Sequence, residues 1–197
     1  MKYDILIAGV GGQGVVLASR ILALAAIKAG FHVSTAETIG MAQREGAVSS
    51  HLRIGDEGFG PLIPKGKVDL LLGLEPAETV RSLPFLSQNG KVLVNSHPIP
   101  PASKPPGSPD YAPEALLAFL KANIPELCCL DFTELAGEAG TSKAANIALL
   151  GAVAGAKILP FSEEILENVL DSEIPEKYRV VNRRAFEMAR AQVRNQI

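Results

Sequence analysis

Six residues near the start of this chain, Gly9-Val10-Gly11-Gly12-Gln13-Gly14, satisfy GxGxxG. They stand between a short apolar run, Tyr3 to Ala8, and a segment with helical apolar spacing, Gln13 to Ala29, which Gly30 stops. Glycines at such a turn let the backbone close tightly and approach a ligand. The free N–H groups and the dipole of the following helix then favour a phosphate or pyrophosphate. The pattern predicts an anion site with Gly9, Gly11, Gly12, Gln13 and Gly14 around it. A nicotinamide ribose needs an acid about 20 residues farther on, and Glu37 stands near that spacing. Read alone, the turn is a dinucleotide site; the same glycines would also serve helix-to-strand packing with no ligand at all.

Other residues could join it. Thr38 and Arg44 belong to the stretch Glu37 to Gly46, and Arg53 ends Ser49-Ser50-His51-Leu52-Arg53. Arginine suits bidentate phosphate contact. Arg44 or Arg53 could therefore add charge beside the turn, or pair with an acid such as Glu45 or Asp56, or touch a partner chain. Asn95, at the carboxyl end of a strand, lies on the edge where open sheets bind ligands, or caps a turn. Asn146, in an otherwise apolar helix, bonds buried backbone near the turn or faces water. His32, His51 and His97 share no metal-ligand spacing. Cys128 and Cys129 are neighbours whose side chains leave opposite faces of a strand, so they form neither a disulfide framework nor a metal cage. No metal is expected on this chain. Ser49 and Ser50 lack the flanking glycines of a nucleophile elbow, which gives no support to a hydrolase.

The elements that must position these groups alternate. Strands are expected at Tyr3 to Ala8, Phe31 to Thr38, Ala47 to Ile54, Val68 to Leu74, Lys91 to Asn95 (after an Asn89-Gly90 turn) and Leu127 to Phe132. Helices are expected at Gln13 to Ala29, Pro76 to Phe85, Glu114 to Ala122, Lys143 to Ile158, Ser162 to Leu170 and Val180 to Arg194. The order predicts an α/β fold: an open, mostly parallel sheet with helices on both faces, Rossmann-like and three-layered. Seven prolines between His97 and Pro113 exclude regular structure there, so residues 97–113 read as a stiff surface loop within a single domain, 1–197. Arg183, Arg184, Arg190 and Arg194, with Glu187 among them, read as a solvated face or a salt-bridged subunit contact.

Composition narrows the function classes. The 197 residues are 47% hydrophobic and 20% charged, with 19 basic against 21 acidic side chains and a formal charge of -2. A near-neutral chain has no general electrostatic pull toward nucleic acid or an anionic membrane. Mean hydropathy is +0.20, yet the longest uncharged apolar stretch, Ile147 to Ala156, is about half the roughly 20 residues of a spanning helix. Asp4 stands where a secretion signal carries positive charge, so the expected location is the cytoplasm.

The full set of motifs resembles one family. The glycine turn with Ala18, the Gln43-Arg44-Glu45-Gly46 turn with Ser50 and Arg53, Leu74-Glu75-Pro76, Val94-Asn95, Ala145-Asn146 followed by Leu149-Leu150-Gly151-Ala152, and Val181-Asn182 with Ala185-Phe186 are similar to the gamma-type subunit of 2-oxoacid:acceptor oxidoreductases. Within that family the small (beta) subunit of the indolepyruvate type is the nearest likeness. The chain departs from the family at Glu45, where Arg-Gly-Gly is usual, and at Ile39, where His is frequent. The resemblance implies oxidative decarboxylation of a 2-oxoacid to an acyl-CoA, with electrons leaving to ferredoxin. It implies a large alpha subunit that carries the thiamine diphosphate, magnesium and 4Fe-4S clusters, and a small subunit inactive alone, which dimerises or not when isolated. Coenzyme A is then the ligand of the glycine turn, with Thr38, Arg44 and Asn95 beside it. Two rivals stand at this point: a free-standing nicotinamide reductase using Glu37, and an interaction module that kept the fold and lost the ligand.

Overall fold

Ile5, Leu6, Ile7 and Ala8 are all buried, and consecutive apolar side chains leave a strand on alternate sides, so the first strand must be covered on both faces. It runs Lys2–Val10 (β1) in a computed structural model that describes residues 1–40, 46–58, 60–101 and 110–194. Then follow α1 Val15–Lys28, β2 His32–Ile39, β3 Ala47–Gly55, β4 Val68–Gly73, α2 Pro76–Ser82 and β5 Leu86–Asn95. The remainder is α3 Pro113–Asn123, β6 Leu127–Leu130, α4 Phe132–Ala139, α5 Ala145–Ala156, α6 Glu163–Glu173 and α7 Glu176–Arg194.

The six strands lie in the order β2-β3-β1-β4-β5-β6. The mostly parallel, Rossmann-like sheet expected above is corrected: the sheet is mixed. The β1–β4, β4–β5 and β5–β6 pairs are parallel, whereas β3 runs antiparallel to both β1 and β2 along its whole length. The cause is the length of the connection after β2. Only residues 40–46 separate Ile39 from Ala47, too few for the crossover of a dozen or more residues that parallel neighbours need. The chain turns back as a hairpin, its mouth closed by the Gly40 N–H donating to the Ala47 carbonyl at 2.7 Å.

One side of the sheet, with Ile5, Ile7, Leu52, Ile54, Leu70, Leu72 and Leu93, packs against α1 and the C-terminal helices to form the larger core. The other side presents Leu6, Ala8, Leu71 and Val92 to Ile63, Leu83, Phe85 and Ile124. Helix α5 is buried nearly throughout because it lies between the sheet and α7. A Cβ placed on Gly151 would fall 2.1 Å from the Phe186 carbonyl oxygen, and one on Gly155 would fall 2.6 Å from that of Arg190. These glycines let the two helices cross at backbone contact.

Several element boundaries differ from expectation. Pro84 stops α2, and Leu83–Phe85 continues as a 3-10 turn. Asn89-Gly90 forms no turn; it lies inside β5, where the register against β4 slips between Val68 and Leu70. Phe132 opens α4 instead of closing β6, because the Asp131 carboxylate accepts the Glu134 N–H at 2.8 Å as an N-cap. Three arginines of α7 are paired within the chain: Arg183 with Asp171 and Glu167, at 2.7 and 2.8 Å, Arg190 with Glu167, and Arg194 with Glu163, the acids all on α6.

Candidate functional site

The chain leaves β1 toward β2 on one side of the sheet and leaves β4 toward β5 on the other. The carboxyl ends of β1 and β4 therefore form a switch point, the place where open sheets hold ligands. The glycine turn sits there. Gly12 and Gly14 have φ of 95° and 78°, values a side chain disfavours. Gly14 is also the N-cap of α1, with no side-chain cap and no acid in the first turn. A Cβ on Gly14 would fall 2.3 Å from Asn146 Nδ2, which donates to the Gly14 carbonyl at 3.2 Å. Asn146 thus bonds backbone at the turn and is buried.

Not every donor of the turn is available. The Gly11 N–H is held by the Gly46 carbonyl at 2.9 Å, and the Gln13 N–H by the Val10 carbonyl at 3.2 Å. The Gln13 side chain is committed at both ends: Oε1 accepts from the Val10 N–H at 2.8 Å, and Nε2 donates to the Leu74 carbonyl at 2.7 Å. Gly9 is buried, and a Cβ there would press on that same amide at 2.7 Å. Among the described residues, the N–H groups of Gly12, Gly14 and the first turn of α1 have no protein acceptor.

Asn95 is fully buried. Its Nδ2 donates to the Leu74 carbonyl at 3.2 Å and to Thr133 Oγ1 at 2.9 Å, while Oδ1 accepts from the Phe132 N–H at 2.9 Å. The Leu74 N–H donates to the Ala8 carbonyl at 2.8 Å. The Leu74 peptide therefore ties the ends of β1, β4 and β5 together, with the amides of Gln13 and Asn95 meeting on its oxygen from either side.

Above this junction lies a cleft of about 340 Å³ lined by the glycine turn, Leu74, His97, Ile99, Thr133, Ser142 and Lys143. Lys143 is exposed and has no ion pair among the described residues. It belongs to the 3-10 turn Ser142–Ala144 that leads into α5. His97 Nδ1 lies 3.4 Å from Asp131 Oδ2. The donors at the α1 terminus, one cation and two hydroxyls are groups able to bind an anion.

The other expected members are placed elsewhere. Thr38 is exposed on the edge strand β2, opposite Ser49. Glu37 is exposed there too, and β3 intervenes between β2 and β1; two strand spacings, about 10 Å, separate its strand from β1, whereas a ribose-binding acid stands on the strand next to β1. Arg44 and Glu45 lie outside the described residues. Arg53 is buried toward the opposite end of the sheet, its Nε 3.0 Å from Asp4 Oδ1 and its Nη1 donating to the Gly60 and Leu62 carbonyls at 2.7 and 3.2 Å. The structure does not bring it to the cleft. His51 is buried beside it, accepting the Ile63 N–H at 3.2 Å, with burial and then the Arg53 charge lowering its pKa.

Burial, and then the neighbouring thiol, push the Cys128 thiol up to about 11. Among the described residues, no group of three or more His, Cys, Asp or Glu side chains could hold a metal ion, and no helix is long and apolar enough to cross a membrane.

Lys143, His97 and Thr133 escaped the sequence reading of the site. Lys143 stands three residues before Asn146, whose contact with Gly14 carries the start of α5 to the turn. That proximity is the signal that could have found it.

Residues 4–192 match the model of the pyruvate ferredoxin/flavodoxin oxidoreductase family. The indolepyruvate oxidoreductase subunit IorB of Thermococcus kodakarensis is 37% identical over 192 residues, covering 95% of this chain and 94% of that protein. The gamma subunit of a keto/oxoacid ferredoxin oxidoreductase from Geobacter sulfurreducens has a TM-score of 0.70 at 27% identity, covering 97% of this chain and 98% of that one. A 2-oxoglutarate:ferredoxin oxidoreductase from Magnetococcus marinus, solved with 2-oxoglutarate, coenzyme A and succinyl-CoA bound, contains the same fold. Its TM-score is 0.72 at 19% identity, over all of this chain and 31% of that one.

Proposed function

The chain belongs to the pyruvate ferredoxin/flavodoxin oxidoreductase family and is a small accessory subunit of a 2-oxoacid:ferredoxin oxidoreductase; from that premise we propose that it serves an indolepyruvate-type complex by presenting the glycine-turn cleft to coenzyme A. Supporting this reading is the conjunction at one cleft of unpartnered N–H groups at Gly12, Gly14 and the start of α1 with the exposed Lys143. A phosphate of the coenzyme would lie on the α1 terminus, where the dipole and the N–H groups favour it. Lys143 adds a point charge at the mouth. Gln13 and Asn95 act behind them by holding the Leu74 carbonyl, and Arg44, outside the described residues, is proposed as a further contact.

The partner in this reading is a large alpha subunit. Its thiamine diphosphate and magnesium supply the decarboxylation, and its 4Fe-4S clusters supply the electron path to ferredoxin. This chain, acting as one domain in the cytoplasm, is left to bind and orient the acyl acceptor.

Calorimetric titration of the chain with coenzyme A, wild type against Gly12→Val, tests the site. A Cβ at Gly12 meets no atom of the described residues within 4 Å, so among them the valine side chain has room at the turn, while its φ of 95° adds local strain. Binding by the wild type that is weakened at least about tenfold in the variant is expected for a phosphate in close backbone contact. Equal affinity removes the turn from the site. Tight NADH binding by the same chain would favour a nicotinamide enzyme instead.

A further inference from the structure

Leu74-Glu75-Pro76 stood out in the sequence, and the cleft described so far uses only the Leu74 carbonyl. Glu75 is 1% exposed. As the N-cap of α2 it needs one carboxylate oxygen, and Oε2 accepts the Glu78 N–H at 2.9 Å. The other oxygen, Oε1, accepts the hydroxyl proton of Tyr111. The Tyr111 oxygen in turn accepts the Ile99 backbone N–H. Ile99 and His97 line the cleft, on the opposite side of Leu74 from the glycine turn.

A buried carboxylate without a cation is retained at a cost unless each oxygen is hydrogen-bonded. Capping a seven-residue helix does not by itself require one, since an exposed Ser or Asp would do as well. The second oxygen is the informative one, because it reaches 36 residues along the chain to clasp the segment that walls the cleft. We propose that Glu75 is a positioning residue: through Tyr111 and the Ile99 N–H it fixes the wall carrying His97 and Ile99, while its neighbour Leu74 fixes the glycine turn. Two adjacent residues thereby set the separation of the two sides. The consequence for binding rests on the coenzyme reading above; the clasp itself does not.

The test is Tyr111→Phe beside Glu75→Gln, in the assembled oxidoreductase. Its readouts are backbone hydrogen exchange over residues 97–101 and the kinetics with coenzyme A as varied substrate. Tyr111→Phe keeps the ring and removes the hydroxyl. Exchange at Ile99 should rise about tenfold while exchange in β1 and α5 stays as in the wild type, and KM for coenzyme A should rise about five- to twentyfold, more than kcat falls. Glu75→Gln keeps only one acceptor oxygen; with that oxygen on the Glu78 N–H, the amide NH2 faces Tyr111, so exchange at Ile99 and KM should rise toward the Tyr111→Phe values while the α2 cap persists.

Unchanged exchange over 97–101, or a rise spread evenly over the chain, overturns the proposal. So does local exchange without a change in KM when Gly12→Val does raise KM. If Gly12→Val leaves KM unaltered, the coenzyme reading fails, and the exchange result still decides the clasp.

Discussion

Gln13 commits both ends of its amide inside the protein, so its part in the turn is to hold shape. Replacing it with Ala strands the Val10 N–H and leaves the Leu74 carbonyl to Asn95 alone, and urea unfolding should show a loss of about 1–3 kcal/mol. Lys143 is the reverse case, exposed and without an ion pair among the described residues. Lys143→Ala should leave stability within about 0.5 kcal/mol. The same variant should weaken coenzyme A binding about tenfold, less so at high salt, because what is lost is a charge on a solvent-facing phosphate. His51 carries a pH signature. Its folded pKa is depressed, so the unfolded chain takes up a proton first as the pH falls, and the contribution present above about pH 6.5 is lost below it. His51→Asn keeps an acceptor for the Ile63 N–H and should flatten the stability profile between pH 7 and 5, as followed by denaturant midpoints.

Helix α5 depends on Gly151, where an added Cβ would meet the Phe186 backbone and not a side chain that could rotate away. Gly151→Ala must therefore push α7 outward, and thermal or urea melts should register a loss of about 2–3 kcal/mol. That helix was legible because its apolar run is long, and the glycine turn because its spacing follows a mechanism. The direction of β3 was not. Alternation of Val48, Ser50, Leu52 and Ile54 marks a strand but carries no sign, and only the seven-residue connection at 40–46 betrays the hairpin. Helix α4 was missed because Phe132 continues the apolar character of β6 and the cap at Asp131 is a single side chain. At the turn, the left-handed backbone of Gly12 and Gly14 could be read from residue type and position. The Glu75–Tyr111 contact could not, since it joins segments that the sequence keeps far apart.

Across the whole molecule the sheet joins two unlike halves, a parallel set that carries the glycine-turn cleft and an antiparallel hairpin that ends in the exposed strand β2. A ligand that binds only the folded chain must raise its unfolding midpoint. Coenzyme A at a hundredfold excess over its Kd should add about 2.7 kcal/mol, a shift of roughly 5–10 °C for a chain of this size, and calorimetric scans of wild type and Gly12→Val would separate specific from incidental stabilisation. The Leu74 junction carries a further consequence for relatives of this chain. Its acceptor is a main-chain oxygen, which every amino acid supplies, so the bonding makes no demand on the side chain at 74, which burial in the core alone holds apolar. The selective constraint is displaced onto the two carboxamides that converge there, and homologues should keep or lose the pair at 13 and 95 together.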